Sequence, residues 1–209
     1  MILLNAFTDK ALGIFGLGPS GLATIAALKQ SGADVFCWDE SPKVRKRVEQ
    51  LGITCTPPKE WPWAELSALV PGMEPRVSFP FDHKILKKAK VCGVPVMSDV
   101  ELVAQEIATI PETMRPRIVG VTGSNGKSFT TELIVHMICD VGGVAQASTD
   151  RGVQVLELDP ILPDRTYVIE IPARKLAWTR SLKCDVGILL NALPVTQPQI
   201  DAPEMLVRL

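Results

Sequence analysis

The chain has 209 residues, of which 46% are hydrophobic and 22% charged, with 22 Lys and Arg against 23 Asp and Glu. That length accommodates one large domain or two small ones, and the ordinary composition excludes disordered, collagen-like and coiled-coil classes. A formal net charge of -1 argues against a nucleic-acid partner, and the basic runs at residues 43–47 and 84–90 read as solvated helix faces.

In chain order, residues 10–16 form a short apolar strand that ends in glycine. Leu22, Ile25, Ala26 and Leu28 recur at helical spacing over residues 19–30, and Gly32 supplies a stop. Residues 34–38 read as a second strand. Pro42 opens a charged helix that runs to about Gly52, because proline suits a first turn. Residues 56–80 are dense in proline, contain Trp61, Trp63 and Pro71-Gly72, and read as loop with one short strand at 67–70. A helix over 81–91 and a strand over 94–97 follow, and then a helix capped by Asp99 that runs to about Thr109.

Residues 111–116, Pro-Glu-Thr-Met-Arg-Pro, are the best linker. After them the pattern restarts, with a strand at 117–121, a glycine loop and a helix at 127–140. Strands at 166–171 and 185–191 are almost continuously apolar, which predicts central parallel strands. Strand–helix alternation on both sides of the linker predicts an α/β fold. A Rossmann-like parallel-sheet domain is expected over 1–97, and a truncated phosphate-loop-type α/β domain over 98–209.

Cys37, Cys55, Cys92, Cys139 and Cys184 are odd in number and scattered, without a C-x-x-C pair. That speaks against a zinc site or disulfide framework and for a reducing compartment. The first residues, Met1-Ile-Leu-Leu-Asn-Ala-Phe7, lack a basic n-region and soon reach Asp9. No apolar run has the length of a membrane span, so a cytoplasmic protein with no membrane partner is expected.

Two glycine motifs carry chemistry. Gly16-Leu-Gly18-Pro-Ser-Gly21 fits G-x-G-x-x-G between a predicted strand and helix. Its glycines allow a tight turn and bring a phosphate to the helix N-terminus. Asp39, at the end of the next strand, is placed to reach a ribose hydroxyl or a base edge. Taken alone the motif leaves open a dinucleotide-dependent dehydrogenase and a turn that binds nothing. The second motif, Val119-Gly-Val-Thr-Gly123-Ser-Asn-Gly126-Lys127-Ser128, is more specific. Backbone N–H groups over Gly123, Ser124, Asn125, Gly126 and Lys127 can cradle phosphate oxygens, Lys127 can neutralise them, and Ser128 can ligate Mg²⁺. It is a variant loop, because Val121 stands where the strict pattern has its first glycine.

The passage Thr-Gly-Ser-Asn-Gly-Lys-Ser resembles the loop of the Mur ligase family, and the order of glycine turn, linker and loop is similar to that family's first two domains. The resemblance is strongest to the members that add D-glutamate. It extends to Phe15-Gly-Leu-Gly-Pro-Ser-Gly-Leu-Ala, Trp38-Asp39, Pro71-Gly72, Ser98-Asp-Val-Glu-Leu and Leu189-Leu-Asn191. It implies ATP and Mg²⁺ as cofactors of an amide ligase of peptidoglycan synthesis, in which a UDP-muramoyl carboxylate is phosphorylated and an amine attacks the acyl phosphate. By the same resemblance Gly18, Pro19, Ser20, Asp39 and Gly72 hold the uridine diphosphate. Residues 123–129, from Gly123 to Phe129, hold ATP, while Ser128 and Glu170 bind the metal, with Lys127 and Glu170 catalytic in an active enzyme.

The chain departs from the family at the chemistry. Glu170 is followed by Ile-Pro-Ala-Arg174 instead of a Ser-Ser stretch, and Val195 and Thr196 stand where the family has Asp-His. The family's Gly-Asn-x-Gly becomes Thr149-Asp150-Arg151-Gly152, and Phe129 replaces a small hydroxyl residue. The chain is expected to cover only the first half of such a ligase, without its C-terminal domain. A homologue that keeps nucleotide binding but does not ligate alone is therefore expected. The alternatives are an active or split ligase, and an interaction protein with vestigial sites. A homo-oligomer or a protein partner covering the sheet is expected as well.

Overall fold

The computed structural model describes residues 1–72 and 83–192. Their contacts divide into two units, Leu3–Asp99 and Val100 onward together with Met1–Ile2.

The first unit is built on β1 (Ala11–Phe15), α1 (Pro19–Gln30), β2 (Asp34–Trp38), α2 (Pro42–Gln50), β3 (Leu66–Pro71) and α3 (Lys84–Val91). Its sheet is parallel, in the order β2-β1-β3. The central place of β1 follows from its apolar run: Leu12, Gly13, Ile14 and Phe15 are all buried. Phe15 pairs with Trp38 and with Pro71, so three strand ends meet on one edge. Trp61 packs on Gly13, where a Cβ would lie 2.6 Å from its ring, and its indole N–H donates to Thr56 O at 2.7 Å. The proline-dense stretch is thus an ordered cover for the sheet. Both basic runs lie on exposed helix faces, with Lys43, Lys46 and Arg47 on α2 and Lys84, Lys87, Lys88 and Lys90 on α3 in contact with water.

The second unit holds α4 (Asp99–Thr109, counted from Val100), β4 (Arg117–Thr122), α5 (Lys127–Asp140), β5 (Val144–Ser148), β6 (Arg165–Glu170), α6 (Ala173–Leu176) and β7 (Val186–Leu189). Its four strands are parallel, in the order β5-β6-β4-β7. Val119, Val121 and Val168 form one cluster of its core, against Ile134, Val135 and Ile138 of α5 and Ile188 and Leu190. Residues 111–116 carry a 3₁₀ turn, Glu112–Met114, inside this unit. Glu101 on α4 is buried, and its carboxylate accepts the N–H groups of Arg180 at 2.6 Å and Ser181 at 2.9 Å, the Ser181 hydroxyl at 2.7 Å and the Gln105 amide at 2.9 Å. Burial alone would raise this acid, but the hydrogen bonds outweigh it and hold it below its ordinary value.

The structure differs from the sequence expectations at five places. The helix expected over 81–91 begins at Lys84, and Phe81 lies outside the described residues. The strand expected over 94–97 is a single bridge from Val96 to Leu69, since Pro95 has no N–H to continue a ladder. Asp99 is the first residue of α4 instead of its cap, and its carboxylate accepts the Ser20 hydroxyl at 2.6 Å. The strand β5 was not expected: Val-Ala-Gln-Ala-Ser is short and poor in β-branched residues, and as an edge strand it needs no apolar run. Of the two strands expected to be central, β6 is central. By contrast β7 is an edge among the described residues, with Val186 and Leu189 each 50% exposed.

Candidate functional site

In the second unit, four strand ends converge on the phosphate loop. The loop leaves β4 after Thr122, whose hydroxyl donates to Ile171 O at 2.7 Å. Val121 is fully buried in β4 opposite Glu170, so the glycine missing from the strict pattern is a strand residue here and the loop proper starts at Gly123. Gly126 precedes α5 with φ of 85°, a left-handed conformation that a side chain would oppose. The first-turn N–H groups of α5 have no partner within the helix and point with its dipole toward the loop.

Lys127 and Ser128 open that helix. Lys127 Nζ donates to Gly123 O at 2.9 Å and Ser124 O at 3.2 Å, and lies 4.0 Å from Glu170 Oε1. The Ser128 hydroxyl donates to Glu170 Oε2 at 2.7 Å. Glu170 closes β6, is buried, and also accepts the Asp150 N–H at 3.1 Å. A hydroxyl and a carboxylate in contact beside an ammonium are the oxygen donors a hard divalent cation takes alongside phosphate oxygens. Among the described residues no group of three His, Cys, Asp or Glu forms a self-sufficient metal cage. Asp150 pairs with the Arg174 guanidinium, so the carboxylate at Thr149-Asp150-Arg151-Gly152 carries its own countercharge. Phe129 projects outward and is 72% exposed, and Val195 and Thr196 lie outside the described residues.

In the first unit the glycine turn is held by close backbone approach. Gly72 N–H donates to Phe15 O at 2.8 Å, and a Cβ on Gly72 or Gly21 would overlap Gly16 O. Asp39 follows β2 and accepts Leu17 N–H through Oδ2 and Ser41 N–H through Oδ1, both at 2.8 Å. An ionised carboxylate has about four acceptor positions, so room remains on Asp39 for a ligand hydroxyl or N–H. Gly18 precedes α1, Pro19 is its exposed first residue, and the Ser20 side chain is turned inward onto Asp99.

Beside this turn lies a pocket of about 500 Å³, walled by Phe15, Trp38, Trp63 and His83 and edged by Lys59 and Lys88. The His83 ring lies 5.1 Å from that of Phe15. Its Nδ1 accepts Ile85 N–H at 3.2 Å, which leaves Nε2 to donate to Glu40 at 3.3 Å. Arg45 stacks on Trp38 at 4.1 Å and donates to Asp39 O at 2.7 Å, so the basic run on α2 also fixes the indole at the pocket. Aromatic faces with ammonium groups at the rim suit a flat base carrying an anionic tail. Sequence reasoning missed Phe15, Trp63, His83 and Lys88 as lining residues, because they come from separate elements and share no motif.

No family model matches the chain. It is 37% identical over 194 residues to the UDP-N-acetylmuramoylalanine–D-glutamate ligase of Caulobacter vibrioides, covering 93% of this chain and 41% of that protein. The ligase of the same name from Rhodopseudomonas palustris is 37% identical over 203 residues, covering 96% of this chain and 42% of the relative. The chain thus spans about two fifths of the length of these curated relatives. Among solved structures, it superposes with a TM-score of 0.52 and 16% identity on the UDP-N-acetylmuramate:L-alanyl-gamma-D-glutamyl-meso-diaminopimelate ligase of Neisseria meningitides, over 96% of this chain and 66% of that one. That likeness supports the α/β fold.

Proposed function

We propose that this chain, a homologue of the Mur ligases, binds Mg-ATP on the loop between β4 and α5 and a UDP-muramoyl compound on the glycine turn, and does not ligate by itself. The observation that carries this is the contact between Ser128 and Glu170 at the mouth of the loop, with the Lys127 ammonium 4.0 Å from the same carboxylate. Lys127 would turn from the loop carbonyls to the β- and γ-phosphates, and the N–H groups of the first turn of α5 would hold phosphate oxygens. Ser128 and Glu170 would hold Mg²⁺, which offsets phosphate charge when bound.

In the first unit, Gly18, Pro19, Ser20, Asp39 and Gly72 would carry the uridine diphosphate, with Asp39 on a hydroxyl or base edge and the aromatic pocket beside it. Ser20 would contribute through its backbone, because its hydroxyl is committed to Asp99. The absence of ligation is supported by Ile171-Pro172-Ala173-Arg174, which puts apolar and cationic groups where the family has hydroxyls, and by Val195-Thr196, which puts an apolar side chain and a neutral hydroxyl where it has an aspartate and a metal-binding histidine. No helix among the described residues is long and apolar enough to cross a membrane, and free Cys37, Cys55, Cys92, Cys139 and Cys184 suit a cytoplasmic setting. Calorimetric titration with Mg-ATP and with UDP-N-acetylmuramoyl-alanine tests the proposal, with saturable binding of both expected. Release of ADP in the presence of D-glutamate would make the chain an active ligase instead.

A second reading rests on the outer face of α5. Phe129, Leu133 and Met137 follow one another at i, i+4 spacing and are 72%, 43% and 60% exposed. Such a stripe beside an edge strand is what a protein partner or a second copy covers. No binding of either nucleotide would overturn the first reading, and a monomer in light scattering would exclude a second copy as the cover of this stripe.

A further inference from the structure

Among the described residues, the one that binds the phosphate loop most extensively is Asn191, just past the end of β7. Leu190 N–H donates to Thr122 O at 3.0 Å and brings the next residue against the loop. Asn191 Oδ1 then accepts the N–H groups of both Ser124 and Asn125 at 3.0 Å, while its Nδ2 donates to Asn125 O at 3.1 Å. Its own carbonyl accepts Ser124 N–H as well, at 3.2 Å. The approach is close: a Cβ on Gly123 would lie 3.1 Å from Asn191 O and 3.2 Å from Asn191 N.

Asn125 is exposed, so water could take its N–H; an acceptor fixed to the end of a strand holds the loop in one shape where water would not. A carboxamide is suited to this place because it supplies acceptor and donor together without charge. An aspartate would accept the same two N–H groups but give no donor, and would put a negative charge beside the phosphates. We propose that Asn191 is a positioning residue that holds the phosphate loop in its open shape before a ligand arrives, taking the N–H groups of Ser124 and Asn125 and leaving those at the head of α5 for phosphate. The ligand class, a nucleoside triphosphate, rests on the function proposed above; the holding of the loop does not.

The test compares the whole chain with Asn191→Ala and Asn191→Asp by amide hydrogen exchange without nucleotide and by Mg-ATP titration. In Asn191→Ala, exchange at Asn125 should rise about tenfold or more while β4 stays protected, Ser124 should rise less because the main-chain carbonyl of residue 191 still accepts its N–H, and affinity for Mg-ATP should fall about tenfold. In Asn191→Asp the two amides should stay protected while affinity still falls, a split that loss of structure alone does not produce. Unchanged exchange at Asn125 in Asn191→Ala, or deprotection of either amide in Asn191→Asp, overturns the inference. A wild-type chain that binds no Mg-ATP overturns the nucleotide assignment alone, because the exchange pattern still decides whether Asn191 holds the loop.

Discussion

The Ser128 hydroxyl and the Glu170 carboxylate touch at 2.7 Å, linking the head of the phosphate-loop helix to the end of the neighbouring central strand. Both are metal-ligand types, and their contact sets the expected metal dependence. Glu170→Gln keeps an acceptor for Ser128 and for the Asp150 N–H but removes the charge a divalent cation needs. The variant should fold normally and lose about tenfold or more in affinity for Mg-ATP, while affinity measured in excess chelator does not fall. Equal affinity of wild type and variant with Mg²⁺ present would exclude Glu170 as a ligand.

The glycine turn makes a prediction about stability. A Cβ on Gly72 would overlap Gly16 O, and both partners are backbone that no rotamer change can move aside. Gly72→Ala should cost on the order of 3 kcal/mol or more in the first unit and abolish any UDP-muramoyl binding there. A melting temperature equal to that of the wild type would contradict the close approach of Gly72 to Gly16 O.

Glu101 predicts an acid-sensitive fastening of α4. Its carboxyl is held low by Ser181, Gln105 and Arg180 against the opposing effect of burial. A group whose folded value is depressed stabilises the protein above its unfolded value, and that contribution disappears as pH falls through the folded one. Wild type should therefore lose stability below about pH 4.3, the unperturbed glutamate value. Glu101→Ala, which orphans the N–H groups of Arg180 and Ser181, should be less stable by about 1–3 kcal/mol at pH 7, with a flatter acid limb. Denaturant melts at pH 7 and pH 4 check it, and parallel acid limbs would contradict it.

The cysteines should differ in reactivity. Burial pushes the Cys37 thiol up to about 12, and the side chain is 1% exposed. Burial also raises Cys55 and Cys184, whereas Cys139 lies exposed on α5. A maleimide at pH 8 should label Cys139 first and leave Cys37 untouched until denaturant is added. Peptide mapping by mass spectrometry reads the order, and labelling of Cys37 at the rate of Cys139 would contradict it.

Much of the fold was legible because its signals are local. Apolar runs at β1, β4 and β6, Pro19 and Pro42 at helix starts, and the glycine before Lys127 each act within a few residues. The strand β5 was missed because Val-Ala-Gln-Ala-Ser owes its conformation to hydrogen bonds from β6, which no local pattern records. The edge position of β7 among the described residues was illegible for a related reason, since an apolar run looks alike at the centre and at the rim. At the loop, Lys127 and Ser128 follow from spacing. The role of Asn191, and the pairing of Asp150 with Arg174, depend on which strand ends meet, and strand order is a tertiary fact.

The most direct measurement is a calorimetric titration of Mg-ATP into the wild-type chain and into Lys127→Ala, with folding of both verified by circular dichroism. Lys127 lies between the loop carbonyls and Glu170, and the proposal makes it the principal cation for the phosphates. Saturable binding to the wild type that is lost, or weakened about a hundredfold, in the variant is the expected result. Binding that is absent from both proteins, or equal in both, would contradict nucleotide binding on this loop.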